Sequence, residues 1–289
     1  MIRRVAITGG THGNELTGVY LVDYWQRHPE PVRRDSFETL LLHANPEAIK
    51  ACRRYIDRDL NRSFAHHDLA HPADHYEAQR ACELNALLGP KGAEDPAVDF
   101  IVDLHSTTAN MGLSLVVSNE SALTWEAVRY LKSVEPRLHV YRWRGDEEDA
   151  FVDSIAPHGF AIEVGPIPQG VLRSGLFFDT ARLVYRLLDF FEAKNRDTAP
   201  KIADRIEIYD HVDMIDYPRE PDGTLAGMVH EAREHRDYTL VRKGDPLFRR
   251  FDGSEIRYDR DEPLHALFIN EAAYYEKGFA MTLARRIMI

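Results

Sequence analysis

Short apolar, β-branched runs closed by glycine or proline recur along the first two thirds of the chain, with helically spaced stretches between them. Arg4-Val5-Ala6-Ile7-Thr8 before Gly9-Gly10 reads as a buried strand ending in a tight turn. Glu15 to Arg27 has apolar residues at mixed helical spacing and is ended by Pro29 and Pro31. Thr39 to Ala44 predicts a strand stopped by Asn45-Pro46, and His75 to Leu88 a helix stopped by Gly89-Pro90. Val98 to His105 is apolar almost throughout, as a strand covered on both faces would be. A polar loop, Ser106 to Gly112, leads to a strand over Leu113 to Val117. Phe160 to Val164 repeats the buried-strand pattern with a carboxylate near its end, and Phe177 to Lys194 predicts a long amphipathic helix.

This alternation predicts an α/β fold, a mixed sheet flanked by helices. After about residue 198 the pattern changes. Arg205 to Tyr209, Leu225 to Val229, Thr239 to Arg242 and His265 to Phe268 are short runs separated by Gly, Pro and Asp, with no long helix among them. We therefore expect a catalytic domain over residues 1–197 and a smaller β-rich C-terminal domain over 198–289.

The 289 residues, 44% of them hydrophobic, suffice for a large core. A net charge of −11 argues against a nucleic-acid partner, which needs a basic face. Met1 to Gly10 leave no room for a signal peptide, no run is long enough to span a membrane, and there are two cysteines. A cytoplasmic protein acting on a small molecule is the expectation.

Four strings carry candidate chemistry. Gly9-Gly10-Thr11-His12-Gly13-Asn14-Glu15 places an H-x-x-E pair on a glycine-rich turn, two donors of the kind zinc takes. Read alone, the pair also fits a histidine filling a turn and a glutamate favouring a helix N-terminus. His105 ends a buried strand, at the sheet edge where ligands gather, although a hydrogen-bonded structural histidine has the same pattern. Glu163, inside an apolar strand, is either an ion-paired structural group or a carboxylate whose pKa is raised for proton transfer. Arg53 to Arg62 is charged as solvated loops are, yet its Asn-Arg pair suits carboxylate recognition and an arginine near a metal could polarise a carbonyl.

Together with Asn270 to Gly278, these strings give five blocks: GGTHGNELTGVYL (Gly9 to Leu21), RRYIDRDLNRSF (Arg53 to Phe64), DLHSTTANMG (Asp103 to Gly112), EVGPIPQGVLR (Glu163 to Arg173) and NEAAYYEKG (Asn270 to Gly278). In this order they resemble the aspartoacylase family of zinc amidohydrolases, relatives of the zinc carboxypeptidases. The resemblance implies a carboxypeptidase-like zinc domain, one Zn2+ held by His12, Glu15 and His105, Glu163 as proton acceptor and donor, and Arg54 polarising the substrate carbonyl. It further implies that Asn61, Arg62 and Tyr274 grip a substrate carboxylate, that Asp59 orients His12, and that the chain forms a homo-oligomer.

One position departs from the pattern. Aspartoacylases proper have an arginine for a second substrate carboxylate ten residues before the catalytic glutamate; here that position is Asp153, within the acidic run Gly145 to Ser154. A carboxylate there would repel a dicarboxylate, so the chain looks more like the branch that hydrolyses N-acyl aromatic and other neutral L-amino acids. N-acetylaspartate hydrolysis is the alternative if Lys243 or Arg173 reaches the pocket. A metallocarboxypeptidase shares the zinc set, but Tyr274 and its surroundings would narrow the cleft. The histidines of His66 to His71 and His75 are read as an exposed loop, and Phe177-Phe178 and Phe190-Phe191 as core or subunit contacts.

Overall fold

A computed structural model describes residues 1–145, 150–202 and 204–289. In chain order the elements are β1 (Arg4–Gly9), α1 (Leu16–Arg27), β2 (Glu38–His43), α2 (Pro46–Ala51), α3 (His66–Ala70), α4 (Tyr76–Leu88), β3 (Phe100–Ser106), β4 (Gly112–Val117), α5 (Ala122–Val134), β5 (His139–Arg142), β6 (His158–Gly165) and α6 (Ser174–Asn195). Seven strands follow: β7 (Glu207–Ile215), β8 (Gly227–Val229), β9 (Thr239–Val241), β10 (Pro246–Arg250), β11 (Glu255–Arg257), β12 (Leu264–Leu267) and β13 (Met281–Met288). The strands and long helices predicted up to residue 195 are present with shifted ends. α5 and β5 fall in a stretch for which the pattern predicts no element. Its helix has the usual signals, a Ser121 side chain accepting from Thr124 N and buried Trp125, Val128 and Leu131 on one face.

One sheet runs β2-β1-β3-β6-β4-β5-β7-β13-β12-β9. β2, β1, β3 and β6 are parallel neighbours and β4 reverses against β6, so the sheet is mixed, as expected. The C-terminal strands β7, β13, β12 and β9 extend this same sheet, and only β8, β10 and β11 form their own. No α-helix follows α6 among the described residues.

Alternation along the central strands decides where chemistry goes. Phe100, Val102 and Leu104 of β3 and Phe160, Ile162 and Val164 of β6 enter the core with Leu21 and Trp25 of α1 and the apolar faces of α5 and α6. Ile101 enters the opposite core, with Ala81, Leu84 and Leu88 of α4. With period two, Asp103 and His105 share the face of Ile101, and Glu163 pairs with His105 across the β3–β6 ladder.

Phe190 and Phe191 are core residues, whereas Phe178 is 62% exposed. The histidines expected in an exposed loop are instead partly helical: His66 and His67 lie in α3, with His71 at its end.

Candidate active site

The turn after β1 brings its side chains close to the neighbouring backbone. Gly10 has φ +68°, and a Cβ on Gly13 would lie 2.0 Å from the carbonyl carbon of Ala48, so neither position accepts a side chain without movement. Glu15 occupies the cap position of α1 without capping it. Its carboxylate turns the other way: Oε1 lies 2.6 Å from His12 Nδ1 and 3.2 Å from the Arg54 guanidinium, and Oε2 lies 2.9 Å from His105 Nδ1 and accepts from Ser106 N at 3.0 Å. This excludes a glutamate serving only the helix terminus.

Donor atoms of His12, Glu15 and His105 all lie within 4.8 Å of one another and the three residues are buried. The outer nitrogen of each ring faces a buried carboxylate: His12 Nε2 is 2.9 Å from Asp59 Oδ1 and His105 Nε2 is 2.5 Å from Asp103 Oδ2. Asp103 is itself fixed by the hydroxyls of Thr8 and Thr11, each donating to Oδ1 at 2.7 Å. Two imidazoles and a carboxylate, with each ring oriented from behind by an acid, suit a divalent zinc. The electrostatics agree. Burial pushes the Glu15 pKa up, but the two rings overcome it and hold the group below the ordinary range. His105 is pushed down by burial yet held well above its usual value by Asp103 and Glu15. The cluster thus calls for positive charge at its centre, which a metal supplies in place of ring protons.

Arg54 donates to both Glu15 and Asp59, at 3.2 and 3.3 Å, while its Nε is buried without a hydrogen-bond partner. Glu163 Oε1 is also buried and unpartnered, and loss of water together with the Glu15 charge raises the Glu163 pKa well above the carboxylate range. Asn61 accepts from Val152 N at 2.9 Å, with Nδ2 3.5 Å from His105 Nε2; the Arg62 guanidinium lies over the Phe151 ring at 4.9 Å. Tyr274 enters from the turn Ala272–Tyr274 and packs on Phe279 and Phe268.

These groups line one open cleft of about 830 Å³, mouth included, whose further walls are Tyr141, Trp143, Phe151, Phe268 and Phe279. Asp153 lines it too, 4% exposed. Burial first, and the Asp103 charge second, push the Asp153 pKa up to about 7. The repulsion expected of a full carboxylate is therefore weakened near neutrality and grows with pH. Lys243 pairs with Asp261 and Arg173 donates to the Pro166 carbonyl; neither lines the cleft, so the compensating cation considered for a dicarboxylate is not supplied by them. Asp146, Glu147, Glu148 and Asp149 of the acidic run lie outside the described residues.

Sequence reading missed Asp103 and Glu271. Asp103 stands two positions before His105 on one strand face, a signal that period two makes readable. Glu271 is buried and accepts from Thr107 Oγ1, Thr108 N and Oγ1, and Ala109 N, tying the Tyr274 turn to the loop after His105. Nothing local in its sequence points to that contact.

Residues 1–191 match the Succinylglutamate desuccinylase/Aspartoacylase catalytic domain and residues 204–286 the AstE/AspA barrel-sandwich hybrid domain. A probable aspartoacylase of Trichodesmium erythraeum is 46% identical over 99% of this chain and 97% of its own. The human N-acyl-aromatic-L-amino acid amidohydrolase (carboxylate-forming) is 45% identical over 96% and 89%. The crystal structure of murine aminoacylase 3 superposes with a TM-score of 0.92 at 43% identity, covering 100% of this chain and 96% of that one. Succinylglutamate desuccinylase from Vibrio parahaemolyticus, 16% identical with a TM-score of 0.66 over 99% of this chain and 82% of its own, shares the fold. With matches to both domains and full-length relatives above 40% identity, the chain belongs to the succinylglutamate desuccinylase/aspartoacylase family.

Proposed function

We propose that this chain is a zinc-dependent amidohydrolase that splits N-acyl, mainly N-acetyl, neutral or aromatic L-amino acids into a carboxylate and the free amino acid. The observation that carries the substrate class is the wall of the cleft, in which Tyr141, Trp143, Phe151, Phe268 and Phe279 accompany a buried Asp153, while its described arginines, Arg54 and Arg62, are taken by the roles given them below. An aromatic or apolar side chain fits such a wall, and a second carboxylate would be desolvated there beside an acid. Relatives of both names, amidohydrolase and aspartoacylase, stand at similar identity, so N-acetylaspartate hydrolysis is the second reading.

His12, Glu15 and His105 would hold the zinc, which supplies Lewis acidity and makes water a stronger acid. Glu163, in the cleft wall, takes the proton of the attacking water and returns it to the leaving nitrogen, a task that its raised pKa suits. Arg54, oriented by Glu15 and Asp59, lines the cleft and stabilises the carbonyl oxygen as negative charge develops. Arg62, with Asn61 and Tyr274, grips the α-carboxylate and sets the amide against Glu163. In this reading residues 1–197 form the catalytic domain and residues 198–289 contribute Tyr274. A homo-oligomer in the cytoplasm is part of the same proposal; no helix among the described residues is long and apolar enough to cross a membrane.

The test is a panel on zinc-loaded protein: N-acetylphenylalanine, N-acetyltyrosine, an S-substituted N-acetylcysteine and N-acetylaspartate. Higher kcat/KM on the first three supports the proposal. Preference for N-acetylaspartate replaces it with the second reading.

A further inference from the structure

A second group of metal-type donors, Asp57, His75 and Glu77, comes together at the start of α4. One donor atom each of His75 and Asp57, and both of Glu77, are committed elsewhere. His75 Nδ1 accepts from Ala78 N at 3.2 Å and Asp57 Oδ2 accepts from Tyr76 N at 3.0 Å, both closing the first turn of the helix. Glu77 is fully buried and carries four hydrogen bonds. Oε1 accepts from Ile56 N at 2.6 Å and Asn45 Nδ2 at 3.2 Å; Oε2 accepts from Asp57 N at 3.0 Å and Arg58 N at 3.2 Å. A carboxylate so engaged has no lone pair to spare for a cation.

Three successive backbone amides converging on one carboxylate form an anion-holding concavity, here turned inward on the protein's own side chain. The gripped segment lies outside any helix or strand, and the side chains of Ile56, Asp57 and Arg58 are exposed. Arg54 stands two residues before these amides and Asp59 one residue after them. Asp59 and Arg54 in turn hold His12, Glu15 and each other. Through Asn45, whose backbone N donates to the Gly10 carbonyl at 3.2 Å, the same carboxylate is tied to the turn that carries His12 and Glu15.

We propose that Glu77 is a positioning residue for catalysis: it holds the backbone at Ile56 to Arg58 so that Arg54 and Asp59 meet the Glu15 and His12 side chains from a fixed loop. This rests on the roles given to Arg54 and Asp59 under the proposed function. Glu77→Gln keeps the size but replaces one acceptor with a donor, setting an NH2 against backbone N–H groups.

Two measurements test this. In the unmodified enzyme, hydrogen exchange at the amides of residues 56 to 58 is slow, although the loop is exposed and irregular; free exchange there overturns the latch without any variant being made. In steady-state assays on N-acetylphenylalanine, below the melting temperature of every variant, Glu77→Gln lowers kcat about tenfold or more with a smaller change in KM, the scale of losing charge-assisted hydrogen bonds. Asp57→Ala, which removes the reciprocal helix contact and leaves the grip of Glu77, lowers thermal stability without a comparable loss of kcat. Equal losses in the two variants, or kcat within about twofold of the parent in Glu77→Gln, overturn the proposal. Arg54→Ala serves as the reference: if its kcat is near that of the parent, the role given to Arg54 fails, and the catalytic part of the latch with it.

Discussion

Asp59, behind the His12 ring, and Asp153, in the cleft wall, are almost equally buried, 2% and 4% exposed, yet their pKa values move in opposite directions. Burial raises both. At Asp59 the His12 ring and the Arg54 guanidinium more than reverse that effect and leave the group well below the carboxylate range. At Asp153 the nearby Asp103 charge adds to it, and the group ends at about 7. The comparison extends across the site. The donor side, Glu15, Asp59 and Asp103, pairs each buried carboxylate with a ring or a guanidinium and is built to hold charge. The rest of the lining includes aromatic rings, a Trp143 Nε1 without a hydrogen-bond partner and Asp153, an acid that resists ionising, and disfavours a second charge.

The sharpest break comes from emptying the donor side. Removing zinc with a chelator should abolish turnover and adding it back should restore it, with metal analysis giving one ion per chain; full activity after chelation would end the metal assignment. Next in size, Glu163→Ala should keep its zinc and lose at least about 100-fold in kcat, the usual scale of acid–base catalysis. Near-parent turnover removes Glu163 from the mechanism. Arg62→Ala should weaken N-acetylphenylalanine by about 2 kcal/mol in kcat/KM and its methyl ester much less. Equal losses move the carboxylate grip elsewhere.

The remaining predictions sharpen the contrast at Asp153. Asp153→Arg should shift selectivity toward N-acetylaspartate by about tenfold at the expense of aromatic substrates. No shift would place the side-chain subsite elsewhere. In metal-stripped protein, Asp153 carries a folded pKa of about 7 against an ordinary 3.8, so the folded state binds the extra proton between these values and stability falls as pH rises through that window. Asp153→Asn should therefore flatten the decline, gaining relative to the parent by a few kcal/mol at most between pH 5 and pH 8 in denaturant titrations. Parallel pH profiles would show that Asp153 ionises as an ordinary surface acid.

Local patterns made much of this molecule legible: the continuous apolar runs of β1, β3 and β6, the helix of Phe177 to Lys194, and the motif residues at or just after strand ends, His12, His105 and Glu163. These depend on local apolar patterning and turn chemistry, which act over a few residues. Pairing across the sheet decided the rest. Whether Glu15 serves a helix end or the metal cluster, which acid stands behind His105, how the C-terminal strands join the catalytic sheet, and whether Asp153 is charged all depend on groups remote in sequence. Glu271 reaches the loop after His105 across more than half of the chain, and Glu77 grips amides about twenty residues away. Burial and partner charge are properties of the assembled fold, so the same residue type, aspartate, becomes a strong acid at one position and a weak one at the other.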